Sequence, residues 1–289
     1  MINIGEFNKL EVVRTAEFGY YLNAGTGNTS DDVLLPNKSA LGKDLSIGDE
    51  VNAFIYRDSK DRIIATLKEP LAKVGDVACL KVEGKSKFGS FVNFGLERDI
   101  LVPFKEQEYT LVEGNKYLFY LYLDKTGRIA ATTDIDRYLE NIDIENTEEI
   151  QENKYRVGDD VVGIVYGFQT NGSAMIAIDN KYRGVILHNE YFTELKEGYE
   201  LKLRIKKIYE DGKLGLTPRK KPVDERLELQ EQILQYIKKN DGFMPFNDKS
   251  SPEEIKRVFK QSKNYFKNAL GGLMKKGLVV QDEEGTRLK

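Results

Sequence analysis

Short stretches of alternating apolar and polar residues fill the first three quarters of the chain. Residues 51–56 and 201–206 show this alternation, and they are rich in β-branched and aromatic side chains. Glycines and Asp-Gly pairs interrupt the stretches at short intervals. A period of two in short runs of this composition predicts β-strands that bury one face.

Three related passages repeat along this region, which indicates three copies of one structural unit. The interval from a glycine to a later basic residue is fourteen positions in the first two passages (48–62 and 114–128) and fifteen in the third (198–213). Each unit of about 65 residues has room for five strands. Because strands that close into a barrel leave no sheet edge open to pairing, we predict three small closed barrels.

The last quarter of the chain changes to helical spacing. Apolar residues recur every three or four positions, so Leu227, Leu234 and Ile237 are expected on one side of a first helix. Ser251 starts a capping box with proline at the first helical position, and Ser262 caps a third helix. Three helices followed by a two-stranded hairpin are the order of a winged helix-turn-helix domain.

These patterns divide the chain into five parts. The predicted fold class is multidomain, with three all-β, five-stranded barrels and a C-terminal α+β winged helix-turn-helix domain. The predicted boundaries are 1–69 for the first barrel, 70–134 for the second, 135–153 for an acidic linker, 154–220 for the third barrel and 221–289 for the winged helix.

Charge is segregated along the chain, although 44 basic and 47 acidic residues nearly cancel. Residues 134–152 include eight acidic side chains and one basic side chain, whereas residues 202–221 include eight basic and two acidic ones. An acidic run of this kind is typical of a solvated spacer, and a basic run points to an anionic partner.

The composition limits the available chemistry. With one cysteine, Cys79, and one histidine, His188, the chain cannot form an internal disulfide or assemble a zinc site from the usual ligands. The start, MINIGEFNKL, lacks the pattern of a signal peptide, and the longest apolar run, residues 117–123, is far shorter than the roughly 20 residues that cross a bilayer. We expect a cytoplasmic protein without metal or cofactor that does not span a membrane.

The second repeat resembles a known RNA-binding module, the S-one domain. This is the OB barrel that is repeated in the largest small-subunit ribosomal protein of bacteria. The stretches that carry the resemblance are 87–92 (KFGSFV), 99–103 (DILVP), 112–115 (VEGN) and 124–129 (DKTGRI), with 183–188 (RGVILH) in the third repeat. Three such barrels followed by a winged helix resemble the conserved virulence factor B family over nearly the whole chain. The resemblance implies a cytoplasmic RNA-binding regulator of the kind found in Gram-positive bacteria.

The resemblance also implies which side chains contact RNA. In the S-one domain these are two aromatics beside a Gly-small pair, a histidine on the next strand, and an aspartate with an arginine four residues later. The second barrel offers Phe88, Phe91, Asp124 and Arg128, with Pro103 in place of the histidine. The first barrel offers Phe18, Tyr21, Asp58 and Arg62, with Pro36 in that place. The third barrel has His188 and Lys213, but Asn171 and Ala174 stand where the aromatics belong.

The spacing of Phe88 and Phe91 sets a geometric requirement. Residues three apart face opposite sides of an ideal strand, so a bulge at Gly89 is needed to aim both rings at one surface. Two exposed rings form a stacking platform worth about 1–3 kcal/mol per base. The alternative is that Phe91 and Phe94 fill the barrel interior.

Basic residues outside the aromatic sites have two interpretations. Lys202, Arg204 and Lys206 alternate with apolar residues, so they share a strand face that is either a ridge tracking RNA or an ordinary solvated surface. Lys263 and Lys267 lie opposite the apolar stripe of the last helix, which suits phosphate contacts but also an ordinary outer face. A further hypothesis is that the acidic linker competes with RNA for such faces.

The sequence shows no catalytic constellation. His188 has no second histidine to work with, and no phosphate-binding loop of the GxxxxGK(S/T) type occurs. We therefore predict a non-enzymatic protein that holds single-stranded RNA and, by resemblance, acts on post-transcriptional gene expression and virulence factor production. Two alternatives stay open: a regulator that reads duplex DNA through the winged helix, and an adaptor on the ribosome or the RNA-degradation machinery.

Overall fold

Three closed five-stranded barrels and a winged helix form the part of the chain that the computed structural model describes, residues 2–143, 155–219 and 222–289. This arrangement confirms the predicted fold class.

The first barrel closes in the order β1-β2-β3-β5-β4. Its strands are β1 (Phe7–Ala16), β2 (Gly19–Leu22), β3 (Val33–Pro36), β4 (Glu50–Arg57) and β5 (Ile63–Thr66). β3 and β5 are parallel, and the other neighbours are antiparallel. This is the strand order of an OB-type barrel.

Two further barrels repeat this order, with their third and fifth strands as the parallel pair. The second barrel contains β6 (Val77–Ser86), β7 (Gly89–Asn93), β8 (Ile100–Pro103), β9 (Lys116–Leu123) and β10 (Ile129–Thr132). The third contains β11 (Asp160–Phe168), β12 (Ala174–Ile178), β13 (Tyr182–Ile186), β14 (Glu200–Ile208) and β15 (Leu214–Thr217).

The first strand of each barrel carries a β-bulge at the same place. The register shifts between Val12 and Arg14 in β1, between Val82 and Gly84 in β6, and between Val165 and Gly167 in β11. A bulge bends and twists its strand. Each of these long strands can therefore pair with one neighbour along its first half and with another along its second half, which closes the barrel.

Barrel 1 has an apolar core of its own and packs one face of β4 and β5 against barrel 2. Phe54 and Tyr56 of β4 are buried in the same cluster as the interior of barrel 2, and the Phe54 ring centroid lies 6.4 Å from that of Phe94. Ile64 of β5 joins this cluster. Because separating the barrels would expose these side chains to water, apolar burial holds the two barrels in one arrangement.

The acidic segment that follows barrel 2 is packed along its described part. Ile135, Leu139 and Ile142 are each 5% exposed or less, and they fill the junction between barrels 2 and 3. Their spacing of three to four places apolar side chains on one side and leaves the charges outside. Residues 135–143 are therefore an ordered junction rather than the solvated spacer that their charge suggests. The rest of the predicted linker, 144–153, lies outside the described residues.

The C-terminal domain combines three described helices with a small sheet of order β16-β18-β17. Its elements are α1 (Pro222–Lys239), β16 (Phe243–Met244), α2 (Pro252–Phe259), α3 (Lys263–Lys275), β17 (Val279–Gln281) and β18 (Thr286–Leu288). The predicted caps are confirmed, since the Ser251 hydroxyl accepts the amide of Glu254 in a complete capping box and the Ser262 hydroxyl accepts the amide of Tyr265. None of the helices in the described ranges is long and apolar enough to cross a membrane.

The buried face of α1 differs in part from the predicted one. Leu229, Ile233 and Ile237 form the stripe that packs into the core, each 2% exposed or less. Leu234 is only partly buried, and Leu227 is 48% exposed. The prediction for Leu227 is wrong because it lies two positions before the stripe, about half a helical turn away.

Candidate nucleic-acid interface

Phe88 of barrel 2 projects from the tip of a hairpin. It is the second residue of the two-residue turn that joins β6 to β7, between the paired residues Ser86 and Gly89. Phe88 is 64% exposed, and the Lys87 ammonium lies 5.0 Å from its ring centroid. An exposed ring with a cation beside it can stack on a base and contact a phosphate at the same time.

Phe18 occupies the same place in barrel 1. It is the second residue of the turn between the paired residues Ala16 and Gly19, and it is 58% exposed. Its ring makes an edge contact with Tyr21 at a centroid distance of 6.3 Å, and the Arg14 guanidinium lies 3.7 Å from the Tyr21 centroid. The sequence reasoning missed Arg14. The signal that reveals it is the two-residue turn, which sets a register that pairs Arg14 with Tyr21.

A glycine follows each of these phenylalanines because the neighbouring strand leaves no room for a side chain. A Cβ on Gly89 would clash with the Val102 carbonyl oxygen, and one on Gly19 would clash with the Leu35 carbonyl oxygen. Their φ angles of +157° and +155° also favour glycine. The predicted bulge at Gly89 is wrong, since the register shift of this hairpin lies within β6. Phe88 leaves the strand for the turn, so no bulge is needed to expose it.

Phe91 lies on β7 and lines a cleft between barrels 1 and 2. The ring is half-buried, and the cleft has a volume of about 330 Å³. Asp124 and Arg128 line the same cleft, so the structure brings three of the predicted residues together. Phe94 is 2% exposed and packs inside the barrel core. The alternative of an interior ring therefore holds for Phe94 and not for Phe91.

Asp124 closes the turn between β9 and β10. Its Oδ1 accepts hydrogen bonds from the Thr126 hydroxyl at 2.7 Å, the Thr126 amide at 2.8 Å and the Arg128 amide at 3.0 Å. Burial acts to raise the pKa of this carboxyl, but the hydrogen bonds from Thr126 and Arg128 outweigh it and hold the pKa below its usual value. Asp124 is thus a positioning residue for the turn that carries Arg128.

The two predicted arginines are both paired with carboxylates. Arg128 reaches from barrel 2 to Asp61 of barrel 1, with Nε–Oδ1 at 2.9 Å and Nη2–Oδ2 at 3.0 Å. Arg62 instead turns back to Asp58 within its own turn, at 2.9 and 2.7 Å. In both arginines the carboxylate binds Nε and Nη2, so a nucleic-acid phosphate either displaces the carboxylate or binds the remaining N–H donors.

Barrel 3 has a different hairpin at the aromatic site. The loop between β11 and β12 has five residues, 169–173, and Asn171 uses its side chain there to accept the amide of Ser173. Ala174 is fully buried. The half-buried Met175 takes the outward position that Phe91 has in barrel 2. Neither predicted aromatic position of this barrel therefore presents a ring.

Tyr209 supplies an aromatic ring to barrel 3 from another strand. Its amide donates to the carbonyl of the basic residue four positions later, Lys213, at 2.9 Å. Asp58 and Asp124 make the same bond to the basic residues four positions after them. Tyr209 therefore stands where the first two barrels have an aspartate. The sequence reasoning missed it, although the four-residue interval from Tyr209 to Lys213 is the signal that finds it.

An open groove of about 540 Å³ lies beside Tyr209. Lys207 and Lys213 line it together with Leu187, and the Lys207 ammonium lies 4.5 Å from the Tyr209 ring centroid. Lys213 also forms an ion pair with Asp211 at 3.7 Å. Glu210 and Asp211 line the groove as well, so it combines one aromatic ring with two ammonium and two carboxylate groups. The ring and the ammonium groups are components of a single-strand binding site.

The strand register makes Leu187, rather than His188, the residue equivalent to Pro36 of barrel 1 and Pro103 of barrel 2. The parallel pairing of β13 with β15, and of β8 with β10, aligns Val185 with Leu101. Two residues later, Leu187 aligns with Pro103. His188 is exposed one position further along. Comparison of the motifs without gaps does not reveal this one-residue shift, because the preceding residue is apolar in every barrel.

The basic face of β14 is interrupted by a bulge. The register shifts just before Lys207, and Lys206 is the extra residue. Lys206 and Lys207 are consequently both exposed, and the Lys206 ammonium pairs with the Glu190 carboxylate at 2.5 Å. Lys202 is exposed and Arg204 half-buried on the regular part of the strand. The predicted ridge thus ends before Lys206, whose charge already has a partner.

The last helix, α3, presents a polar face. Lys267, Asn264 and Asn268 are exposed on it. Lys263 is half-buried, and its ammonium donates to the Lys249 carbonyl at 3.3 Å. Lys267, Asn264 and Asn268 therefore face the solvent on α3. Lys263 instead connects the start of the helix to the preceding loop.

Arg219 joins barrel 3 to the winged helix. Its guanidinium lies 4.7 Å from the ring centroid of Phe192 and 4.9 Å from that of Tyr265 on α3. Its Nε donates to the Glu190 carbonyl at 3.2 Å. The Lys256 ammonium approaches the Phe192 ring from α2 at 5.7 Å. These contacts hold barrel 3, with its groove, against the winged helix, with its α3 face.

Two family models match the chain. The S1 domain model, which describes the S-one barrel, matches residues 4–68 and 74–134, and the CvfB-like winged helix domain model matches residues 231–288. S1 domains and winged helices are nucleic-acid-binding domains, so these matches indicate that the chain binds nucleic acid.

Relatives that align with nearly the whole chain indicate the same family as the winged-helix match. The chain is 32% identical to the uncharacterized protein YitL of Bacillus subtilis, over 98% of this chain and 92% of that protein. It is 28% identical to Conserved virulence factor B of Staphylococcus epidermidis and of Staphylococcus aureus, over 96% of this chain and 91% of each relative. The chain belongs to the conserved virulence factor B family.

A solved structure resembles this member of the conserved virulence factor B family along its full length. It is the crystal structure of a multidomain protein with nucleic acid binding domains from Streptococcus pneumoniae. The two chains are 26% identical, the match covers 99% of this chain and 98% of the other, and the TM-score is 0.52.

The third barrel of this chain departs from the S1 pattern in sequence but not in topology. The S1 domain model matches the chain as far as residue 134, whereas the strand order of residues 160–217 repeats that of the first two barrels. In this barrel the hairpin loop has five residues, 169–173, and the aromatic ring of Tyr209 lies just after the end of β14.

No metal site is formed by the described residues, since no group of three or more His, Cys, Asp or Glu is arranged to hold an ion. Cys79 is half-buried at the junction of barrels 2 and 3, where burial raises the pKa of its thiol. The chemistry that the interface supplies is therefore that of aromatic stacking and of basic groups.

Proposed function

We propose that this member of the conserved virulence factor B family is a non-enzymatic, cytoplasmic protein that binds single-stranded RNA and regulates gene expression after transcription. The observation that carries the proposal is the pair of exposed rings, Phe18 and Phe88, at equivalent hairpin tips of two joined barrels. Proteins that bind single strands stack unpaired bases on rings of this kind, whereas the bases of a duplex are already stacked on each other.

Basic groups next to the rings supply the phosphate contacts. Lys87 lies beside Phe88, Arg14 lies over Tyr21, and the groove at Tyr209 contains two lysines. Each stacked base contributes about 1–3 kcal/mol. Because several weak sites on one rigid chain raise each other's effective concentration, the whole protein binds a strand more tightly than any barrel alone.

The names of the relatives support a regulatory role. Several relatives carry the name Conserved virulence factor B, which favours a part in virulence factor production. The Streptococcus pneumoniae structure is described as having nucleic acid binding domains. Together with the S1 domain matches, these names support nucleic acid held on the barrels as the route by which the protein acts.

Titration of the full chain with labelled single-stranded RNA and with duplex DNA, each at two salt concentrations, tests the proposal. We expect the RNA to bind more tightly, and its affinity to fall as salt rises because bound Lys and Arg side chains release counterions from the phosphates. Tighter binding of the duplex would contradict the proposal.

The polar face of α3 favours a second candidate function, reading of duplex DNA. Lys267 with Asn264 and Asn268 is a set of side chains suited to phosphates and base edges in a major groove. Under this alternative Lys267→Glu abolishes duplex binding. If RNA lies on the barrels, the same variant lowers RNA affinity by no more than the contribution of about one phosphate contact.

A further inference from the structure

Strand β17 of the winged helix lies at an open edge of its sheet. The sheet has the order β16-β18-β17, so among the described residues β17 pairs with β18 on one side and with no strand on the other. It reads Val279-Val280-Gln281. The strand contains neither a charged residue nor a proline, which are the residues that commonly prevent pairing at an exposed edge. The edge is therefore able to accept another strand.

The register of the hairpin shows which backbone groups of β17 face the open edge. The Lys289 amide donates to the Leu278 carbonyl at 3.2 Å. Because the direction of hydrogen bonding alternates along an antiparallel strand, Leu278 and Val280 direct their backbone groups toward β18. The N–H and C=O groups of Val279 and Gln281 therefore point away from β18, toward the open edge.

These outward groups match the same edge of a second copy of the chain. When two β17 strands lie antiparallel about a two-fold axis at Val280, Val279 of each copy lies opposite Gln281 of the other. Both positions point outward, so each of the two pairs can exchange two hydrogen bonds. A shift by one residue would instead place outward groups opposite inward ones, and the hydrogen bonds would be lost.

Apolar side chains lie on the outer face of this edge. Leu278 and Val280 are 43% and 44% exposed, whereas Val279 between them is buried on the inner face. Met274, at the end of α3, is exposed as well. In the two-fold pairing the Val280 side chains of the two copies meet at the axis, with Leu278 of each copy beside them. Pairing thus removes apolar surface from water, which favours association.

The charges at the two ends of β17 favour the antiparallel pairing. Lys275 and Lys276 precede the strand, and Asp282, Glu283 and Glu284 follow it. In the two-fold pairing the basic end of each strand lies beside the acidic end of the other. Opposite charges attract in this arrangement, whereas a parallel pairing would place like charges side by side.

Lys275 and Glu283 are the charged residues best placed for this contact. Asp282 and Glu284 bind Arg287 of their own hairpin, at 3.2 and 2.6 Å. Lys275 and Glu283 are both exposed. Within one chain they are separated by the length of the strand, about 16 Å for five extended residues. An attraction between these two side chains therefore acts between two copies of the chain.

We propose that β17 is a dimer interface, at which two copies of this chain pair their edge strands about a two-fold axis and join their three-stranded sheets into one sheet. The dimer carries two copies of the nucleic-acid interface. Because β17 is short, the contact belongs to the class of small interfaces that form weakly and reversibly. The pairing does not depend on the proposed function, since no nucleic acid takes part in it.

Sedimentation equilibrium of the full chain without nucleic acid tests the interface. We expect a monomer–dimer equilibrium with a dissociation constant in the micromolar range. A chain that remains a monomer at millimolar concentration would overturn the proposal.

A single substitution at the two-fold axis locates the interface. Val280→Lys is expected to weaken the dimer about tenfold, because it places two ammonium groups opposite each other. Val280 is exposed, so circular dichroism is expected to show an unchanged fold. Val112→Lys, which changes a valine of similar exposure on barrel 2, is the control and is expected to dimerise normally. A dimer of wild-type strength in Val280→Lys would place the contact on another surface and overturn the proposal.

An exchange of charges tests the antiparallel geometry. Lys275→Glu and Glu283→Lys each place like charges beside each other, so each variant alone is expected to dimerise about fivefold more weakly than the wild type. An equimolar mixture of the two variants is expected to recover the wild-type association, because both contacts of the heterodimer then join opposite charges. A mixture that associates no better than the separate variants would overturn the pairing of these two strand ends.

Discussion

Phe18 and Phe88 occupy equivalent positions at the hairpin tips of two barrels that pack against each other through one apolar cluster. Each is the second residue of a two-residue turn, and each is followed by a glycine packed against a carbonyl oxygen of the next strand. The short turn excludes the ring from the barrel interior. Because the barrels are joined through Phe54 and Phe94, the two rings keep a constant relation to each other.

The close packing at Gly89 leads to a prediction about stability. Gly89→Ala is expected to lower the free energy of unfolding by about 2 kcal/mol, since the added Cβ would clash with the Val102 carbonyl oxygen. Chemical denaturation followed by circular dichroism measures the change. Gly84→Ala is the matched control in the same hairpin, because nothing lies within 4 Å of its Cβ. Equal destabilisation by the two variants would show that the contact with Val102 is unimportant.

Tyr209 leads to a prediction about the third barrel. Tyr209→Ala is expected to weaken single-stranded RNA binding by about 1–2 kcal/mol, because it removes the ring from the groove, whereas Tyr209→Phe keeps the ring and the affinity. His188→Ala is expected to have a smaller effect, since His188 lies one position beyond the residue that lines the groove. Fluorescence anisotropy with labelled RNA compares the three variants. A larger loss from His188→Ala would restore the histidine as the contact of this barrel.

Glu190 leads to a prediction about acid stability. It is 8% exposed and accepts the Lys206 ammonium at 2.5 Å and the Thr217 hydroxyl at 2.9 Å. Burial acts to raise the pKa of Glu190, but the bonds from Lys206 and Thr217 lower it below its usual value. A carboxyl with a lowered pKa stabilises the folded protein above the unfolded-state pKa, and the contribution is lost as pH falls through the folded-state pKa.

Comparison of the wild type with Glu190→Gln checks this prediction. The variant is expected to lower the free energy of unfolding by about 2 kcal/mol at neutral pH. The difference is expected to shrink as the pH falls below the unfolded-state pKa of glutamate, about 4.3, and to disappear once the pH is below the lowered folded-state pKa of Glu190. A difference that stays constant from neutral pH to about pH 3 would show that the charge of Glu190 does not stabilise the junction.

The sequence was sufficient to predict the barrels and the helix starts. Alternation in stretches such as 51–56 makes one face of a strand apolar, and that face has to be buried whatever its neighbours are. The caps at Ser251 and Ser262 depend on residues within one helical turn, so they are equally local. The apolar stripe of α1 was harder to place, because Leu227 and Leu229 fit a helical period about equally well in isolation.

The site was only partly predictable, because its chemistry depends on pairs that are distant in the sequence. The exposure of Phe88 follows from its turn, but the partner of Arg128 is Asp61, 67 positions earlier in another barrel. No local pattern encodes that ion pair. The bulge in β14 likewise comes from the closure of the barrel, and it removes Lys206 from the regular alternation.

The most direct test of the account is the affinity of the double variant Phe18→Ala with Phe88→Ala for single-stranded RNA. Both rings are more than half exposed, so the variant is expected to unfold at the same denaturant concentration as the wild type. The account predicts binding about a hundredfold weaker than that of the wild type. Leu41→Ala with Tyr199→Ala, which removes two other exposed side chains, is the control and is expected to bind normally. Wild-type affinity in the Phe18 and Phe88 variant would contradict the claim that the barrels hold RNA by stacking.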